Sequence, residues 1–301
     1  MGLILFLPTV LGIASAFGLA LLSRSRSALS GDHVVITKVF RRLIGWRIGG
    51  FVVGIALAIA IPFVALGLLG IDSPEVILVW APVALALVYL LSLLIGEHVA
   101  YRPAAGQHGA NLAARVASRY ITVRGVIVPL VASLGFFALA VATLALTNDR
   151  GSVMITCASP YPNDYGASSH STIERSTSWA CLGSIATAAI LTALVARAAT
   201  NRARPDTHVF AAAEDDALRR STIRAAVGIY TSFAAILGAV FTLVLAEVLT
   251  SDFEPCGAPS WWNPIGVALW WSLIAWFAVY TWGVVQIVSR PIATRMSATI
   301  G

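Results

Sequence analysis

A chain of 301 residues that is 58% hydrophobic and only 11% charged, with mean hydropathy +0.84, has too little polar surface for a water-soluble domain. Its net charge of +6 and pI near 9.6 are not read as a nucleic-acid footprint, because membrane proteins acquire basic loops through the insertion rule alone. The expectation is an all-α polytopic bundle forming a single membrane domain over 1–301. Its partners would be the bilayer and anionic headgroups at the basic loops, with no nucleic acid.

A helix crossing the hydrocarbon core needs about 20 mostly apolar residues. Seven stretches qualify: 2–23, 48–70, 76–96, 125–147, 179–196, 225–249 and 264–288. They are expected as helices, because unpaired backbone cannot face lipid and the alternating ten-residue segments of a β-barrel are absent. The first run, opening Met1-Gly2-Leu3-Ile4, has no preceding basic residue of the kind a cleavable signal peptide requires, so it is expected as a retained span. Arg24, Arg26, Lys38, Arg41, Arg42 and Arg47 separate it from the second. In all, 18 of the 20 basic residues fall in alternate connections, and only Arg150 and Arg175 lie on the other side. The positive-inside rule then puts the N-terminus outside and the C-terminus in the cytoplasm of a bacterial plasma (inner) membrane.

Within the second span, Gly50 and Gly54 form a small-xxx-small step that permits close helix contact. The third closes on Glu97-His98. This pair could be pH-responsive or metal-binding, but two adjacent groups do not make a metal site. The structural reading is favoured: His98 suits a helix C-terminus, whereas Glu97 is disfavoured there by the dipole and needs a cation such as Arg102 or Arg115. Asn111–Tyr120 and the stretch Glu214–Arg220 are expected as interfacial helices. The latter is supported by the i,i+4 pairs Asp215–Arg219 and Asp216–Arg220.

On the outer side, Asn148–Ala180 is expected as a long irregular loop, with consecutive turns over Pro160–Gly166. It could form a lid or partner surface, or simply cap the bundle. Cys157, Cys181 and Cys256 all lie on or near this side, where two of the three could form a structural disulfide; spacing does not say which two. Glu247, near the outer edge of the sixth span, is expected to reach headgroup water or a neighbour's hydroxyl, with a ligand-facing role as the alternative. The last span is the most aromatic, with Trp261 and Trp262 as interfacial anchors and Trp270, Trp271 and Trp276 deeper. Packing or lipid contact explains the deeper rings better than a ligand pocket does.

After the first span, the remaining six group as three hairpins. Each leaves through Arg-Pro, at Arg102-Pro103, Arg204-Pro205 and Arg290-Pro291. A threefold two-helix repeat and the ordinary use of Pro to stop a helix explain this equally well.

None of the five histidines (His33, His98, His108, His170, His208) lies within a span, which excludes bis-histidine haem ligation inside the bundle. Nucleotide-binding, hydrolase-elbow and EF-hand motifs are absent. No mid-span ionisable residue suggests ion coupling. No catalytic residue, cofactor or metal is expected.

Gly96-Glu97-His98-Val99-Ala100-Tyr101-Arg102-Pro103, with Leu112-Ala113-Ala114-Arg115 and Tyr120, resembles a pattern in a group of actinobacterial multi-span integral membrane proteins of unknown function. Asp215–Ser221 is similar to a second block of that group. The Ala/Arg-rich, almost Lys-free composition suits a high-GC bacterium. The resemblance implies the membrane setting and carries no activity. The function expected is therefore a non-enzymatic interaction, accessory or sensing protein, engaging a membrane-protein partner or a second copy. The alternative is a transporter or exporter component for a neutral or apolar solute.

Overall fold

In a computed structural model, the chain is described over residues 34–68, 79–100, 120–147, 152–156, 167–171, 173–202, 209–250 and 259–288. Six helices occupy most of this: α1 (Val34–Leu68), α2 (Ala81–Ala100), α3 (Val123–Leu146), α4 (Arg175–Asn201), α5 (Val209–Thr250) and α6 (Trp262–Val288). Each is long and apolar enough to cross a membrane. They correspond to the second through seventh predicted spans. The first, 2–23, lies outside the described residues, as do Arg102, Arg115, Cys157, Cys256, Pro160–Gly166 and all of Asn111–Tyr120 except Tyr120.

The helices start where local chemistry allows. Thr122 caps α3, its side chain accepting from Gly125 N at 3.2 Å and satisfying one of the orphan donors of a helix N-terminus. At the opposite end of the bundle, Arg175 Nε donates to Thr147 O at 3.0 Å, tying the start of α4 to the end of α3. Within the spans, threonine hydroxyls bond back to their own helix, as from Thr143 to Leu139 O, Thr192 to Ala188 O and Thr231 to Val227 O. No polar hydrogen of these side chains is then left facing hydrocarbon.

The stretch expected to be irregular contains a two-stranded antiparallel ribbon, β1 (Ser152–Thr156) with β2 (Ala167–Ser171), register Ser152↔Ser171. Pairing gives the backbone partners that a loop would leave to water. The serine-rich β2 lacks the apolar alternation by which a strand is recognised. It also carries His170 at the register position opposite Val153.

Helix α5 is the axis of the bundle. It packs against every other helix, and 67% of its apolar window is buried, against 17% for α1 and for α6. Phe136 of α3 meets Phe241 of α5 edge-to-face at 5.2 Å, and Phe233, Leu237, Tyr89 and Leu90 fill the centre with at most 1% exposure. The contacts fix the helix directions. Gly50 lies against Ser92 and Gly54 against Leu85, so α1 and α2 are antiparallel; Gly228 lies against Gly283 and Gly266 against Thr250, so α5 and α6 are too. The small-residue step at Gly50 and Gly54 is thus a helix contact. The middle pair differs: α3 lies mainly along α5, and α4 fits between α2 and α5, with little contact between α3 and α4. Chain-consecutive pairs therefore do not pack alike, and the packing does not follow a threefold repeat of hairpins.

Candidate functional site

The C-termini of α2 and α4 and the N-terminal parts of α1 and α5 meet at one end of the bundle, here called the basic end. Six ionisable side chains are buried there: Arg47 on α1, Glu97 on α2, Arg202 at the C-cap of α4, and Asp215, Asp216 and Arg219 on α5. Three guanidiniums face three carboxylates, so the cluster is formally neutral.

Arg202 is its hinge. Nη1 donates to Glu97 Oε2 at 2.8 Å and Nη2 to Asp215 Oδ1 at 2.6 Å. Burial alone would lower the Arg202 guanidinium, but the Glu97 and Asp215 carboxylates outweigh it and hold it above its ordinary value. The other oxygen of Asp215 accepts from Arg219 Nε at 2.7 Å.

Arg219, fully buried, then closes the end of α4. Its Nη1 donates to the carbonyls of Ala199 (2.9 Å) and Thr200 (2.7 Å), and its Nη2 to that of Arg202 (2.6 Å). The last carbonyls of a helix have no partner within it. A planar fork of donors carrying positive charge satisfies three of them at the negative end of the dipole.

The second oxygen of Glu97 accepts from Thr222 Oγ1 at 2.7 Å, and that hydroxyl accepts in turn from Arg47 Nη2 at 2.7 Å. Arg47 Nη1 donates to Ser221 at 2.9 Å. The arginine of α1 thus reaches Glu97 through a hydroxyl, and its Nε is buried without a partner among the described residues. On the other flank of α5, Tyr120 donates to Asp216 Oδ1 at 2.9 Å, fastening the entry of α3.

Several expectations are corrected by this geometry. Among the described residues the cation beside Glu97 is Arg202, 105 positions away; the two candidates named from sequence, Arg102 and Arg115, lie outside them. Asp215 and Arg219 do pair at i,i+4, but buried inside the bundle and not on an interfacial helix. That stretch belongs to the same uninterrupted helix as the apolar run following it. Asp216 takes a hydrogen bond from Tyr120, while Arg220 is exposed. His98 points away from its neighbour: it is exposed, with Nδ1 2.8 Å from Leu94 O, and takes no part in the cluster. Glu247 sits on an exposed face of α5 near its far end. Cys181 is buried in α4. Among the described residues no three His, Cys, Asp or Glu side chains come together as metal ligands would.

Trp262 is buried, whereas Trp261, Trp270 and Trp271 are exposed. Trp276 donates from Nε1 to Thr242 at 2.9 Å and lies over Gly135 and Gly238, filling the space their missing side chains leave.

Beside the cluster, a half-open groove of about 560 Å³ runs between α2 and α4, lined by Leu94, Glu97, His98, Leu194, Arg197, Ala198, Asn201 and Arg202. Both oxygens of Glu97 and both of Asp215 are engaged, so neither carboxylate is poised as a general base. What the arrangement can do is hold four helices at fixed spacing. No family model matches this chain, and neither a curated protein nor a solved structure matches it significantly.

Proposed function

We propose that this chain is a seven-span protein of a bacterial plasma membrane, of the actinobacterial kind its loops resemble. Its N-terminus lies outside and its basic end in the cytoplasm. It acts there as a non-enzymatic interaction, accessory or sensing protein. The observation that carries this reading is the use made of its chemistry. The buried carboxylates and guanidiniums of the basic end are spent on one another and on helix ends, and the centre of the bundle around α5 is filled by aromatic and aliphatic side chains. A bundle of this kind supplies a rigid body with its basic residues gathered at one end.

Extraction of the full chain into native lipid nanodiscs, with mass spectrometry of what co-purifies, tests the role. A stoichiometric protein partner supports the accessory reading. A chain that arrives without any partner overturns it, and flux of neutral or apolar solutes in liposomes becomes the next assay. Orientation has its own test: in a chain whose Cys157, Cys181 and Cys256 are replaced by serine or alanine, Arg124→Cys should resist, and Trp261→Cys accept, a membrane-impermeant thiol reagent applied to whole cells. The reverse pattern would overturn the assignment.

A further inference from the structure

The groove between α2 and α4 lies at the level where both apolar windows end, Ala81–Val99 and Arg175–Asn201. Its lining changes along its length. Leu94 and Leu194 form the part nearer the bilayer centre, with Leu194 41% exposed. Further along α4, by about 4.5 to 10 Å at the helical rise of 1.5 Å per residue, come Arg197, Ala198 and Asn201, with His98 across from them on α2. Arg197, Asn201 and His98 are exposed; Glu97 and Arg202 form a buried floor.

That floor brings no net charge to the groove, since Glu97 is bound to Arg202 and Thr222. The potential at the mouth is therefore set by Arg197, a guanidinium whose planar fork matches a phosphate. The Asn201 amide can add donors; the His98 ring, whose Nδ1 is turned to Leu94 O, only bounds the mouth. An apolar trough leading into a cationic, donor-rich mouth at the headgroup level is complementary to one molecule with that same polarity.

We infer that this groove is a binding site for a single anionic glycerophospholipid, its phosphodiester held at Arg197 with Asn201, and its acyl chain laid along Leu94 and Leu194. The inference rests on the membrane placement proposed above and is independent of the accessory role. It assigns one stoichiometric site, distinct from the diffuse attraction of basic loops for an anionic surface.

The test is native mass spectrometry of the detergent-purified full chain with phosphatidylglycerol or phosphatidylcholine added. The wild-type chain should retain one phosphatidylglycerol with about five-fold preference, the worth of one basic group at an anionic surface. Arg197→Gln should abolish the preference, while Arg124→Gln, which removes an exposed charge elsewhere at the same end, should keep it. Ala198→Leu, which narrows the mouth without changing charge, should lower retention of both lipids. Survival of the preference in Arg197→Gln, or an equal loss in Arg124→Gln, would overturn the site. So would displacement of the lipid by millimolar inorganic phosphate, which would mark a site for a soluble phosphate instead. A protein partner found or missed in the same preparation bears only on the accessory role.

Discussion

The basic end of α5 and its seam with α6 hold the same helix by opposite chemistry. At the basic end, Arg219 and Asp215 reach out from α5 and bind the terminus of α4 through charge-assisted hydrogen bonds of 2.6–2.9 Å. Along α6 the closest contact is made by bare backbone: a Cβ built on Gly228 would stand 2.6 Å from Gly283 O, and one on Gly283 would stand 2.8 Å from Gly228 O. The difference follows from what each place lacks. Where α4 ends, carbonyls need donors, and buried arginine supplies several at once. Inside lipid, apolar burial gives no preference for a helix over an acyl chain, so close backbone approach and dispersion carry the association.

This comparison predicts a hierarchy of losses. The largest is for Arg219→Ala. It leaves Asp215 short of a buried cation and the carbonyls of Ala199, Thr200 and Arg202 without their donors, so destabilisation of about 3–5 kcal/mol is expected. Loss of folded protein on solubilisation, or a large fall in apparent Tm in detergent, would show it. A fall no greater than that of a surface variant would mean that the network is ornamental.

Next comes the glycine seam. Gly228→Ala forces a methyl against the Gly283 carbonyl and the backbone of Ile287, where neither can yield as a flexible side chain could, and about 1–3 kcal/mol is expected. The damage should be local. A disulfide engineered between α5 and α6 should form more slowly in the variant, while one between α1 and α2 forms as before. Tyr120→Phe is smaller again, since it removes one hydrogen bond to the Asp216 carboxylate while keeping the ring in its apolar setting; about 1.5–3 kcal/mol is the upper range for such a bond, and the lower part of it is expected.

The helices were legible because lipid imposes a crude, long-range pattern on sequence, and hydropathy detects it. The same measure goes blind where a helix leaves lipid but stays buried. The predicted span 225–249 is the lipid part of Val209–Thr250, and 48–70 is part of Val34–Leu68. In both cases the unseen extension carries the charged residues of the cluster: Asp215, Asp216 and Arg219 on one, Arg47 on the other. The dipole argument rightly demanded a cation for Glu97. It could name only candidates near in sequence, because Arg202 is brought there by the packing of α4 between α2 and α5. A mostly apolar helix with Asp and Arg four apart and no break before the span is the signal that would have suggested burial. The ribbon left no such signal.

The finest test sets two neighbouring arginines against each other. Arg219 and Arg220 have the same chemistry and adjoining positions, and both count equally toward a positive-inside tally. Yet one is fully buried and the other is exposed. Helical geometry turns consecutive side chains about 100° apart, so only Arg219 can face the end of α4. If the basic end is held by specific hydrogen bonds, Arg220→Ala should change stability by no more than about 0.5 kcal/mol, the usual range for a surface substitution. Measured beside Arg219→Ala in the same detergent, an indistinguishable Tm from wild type would isolate geometry as the cause. Equal losses in the two variants would instead mean that net positive charge at this end, irrespective of partner, is what holds the helices there.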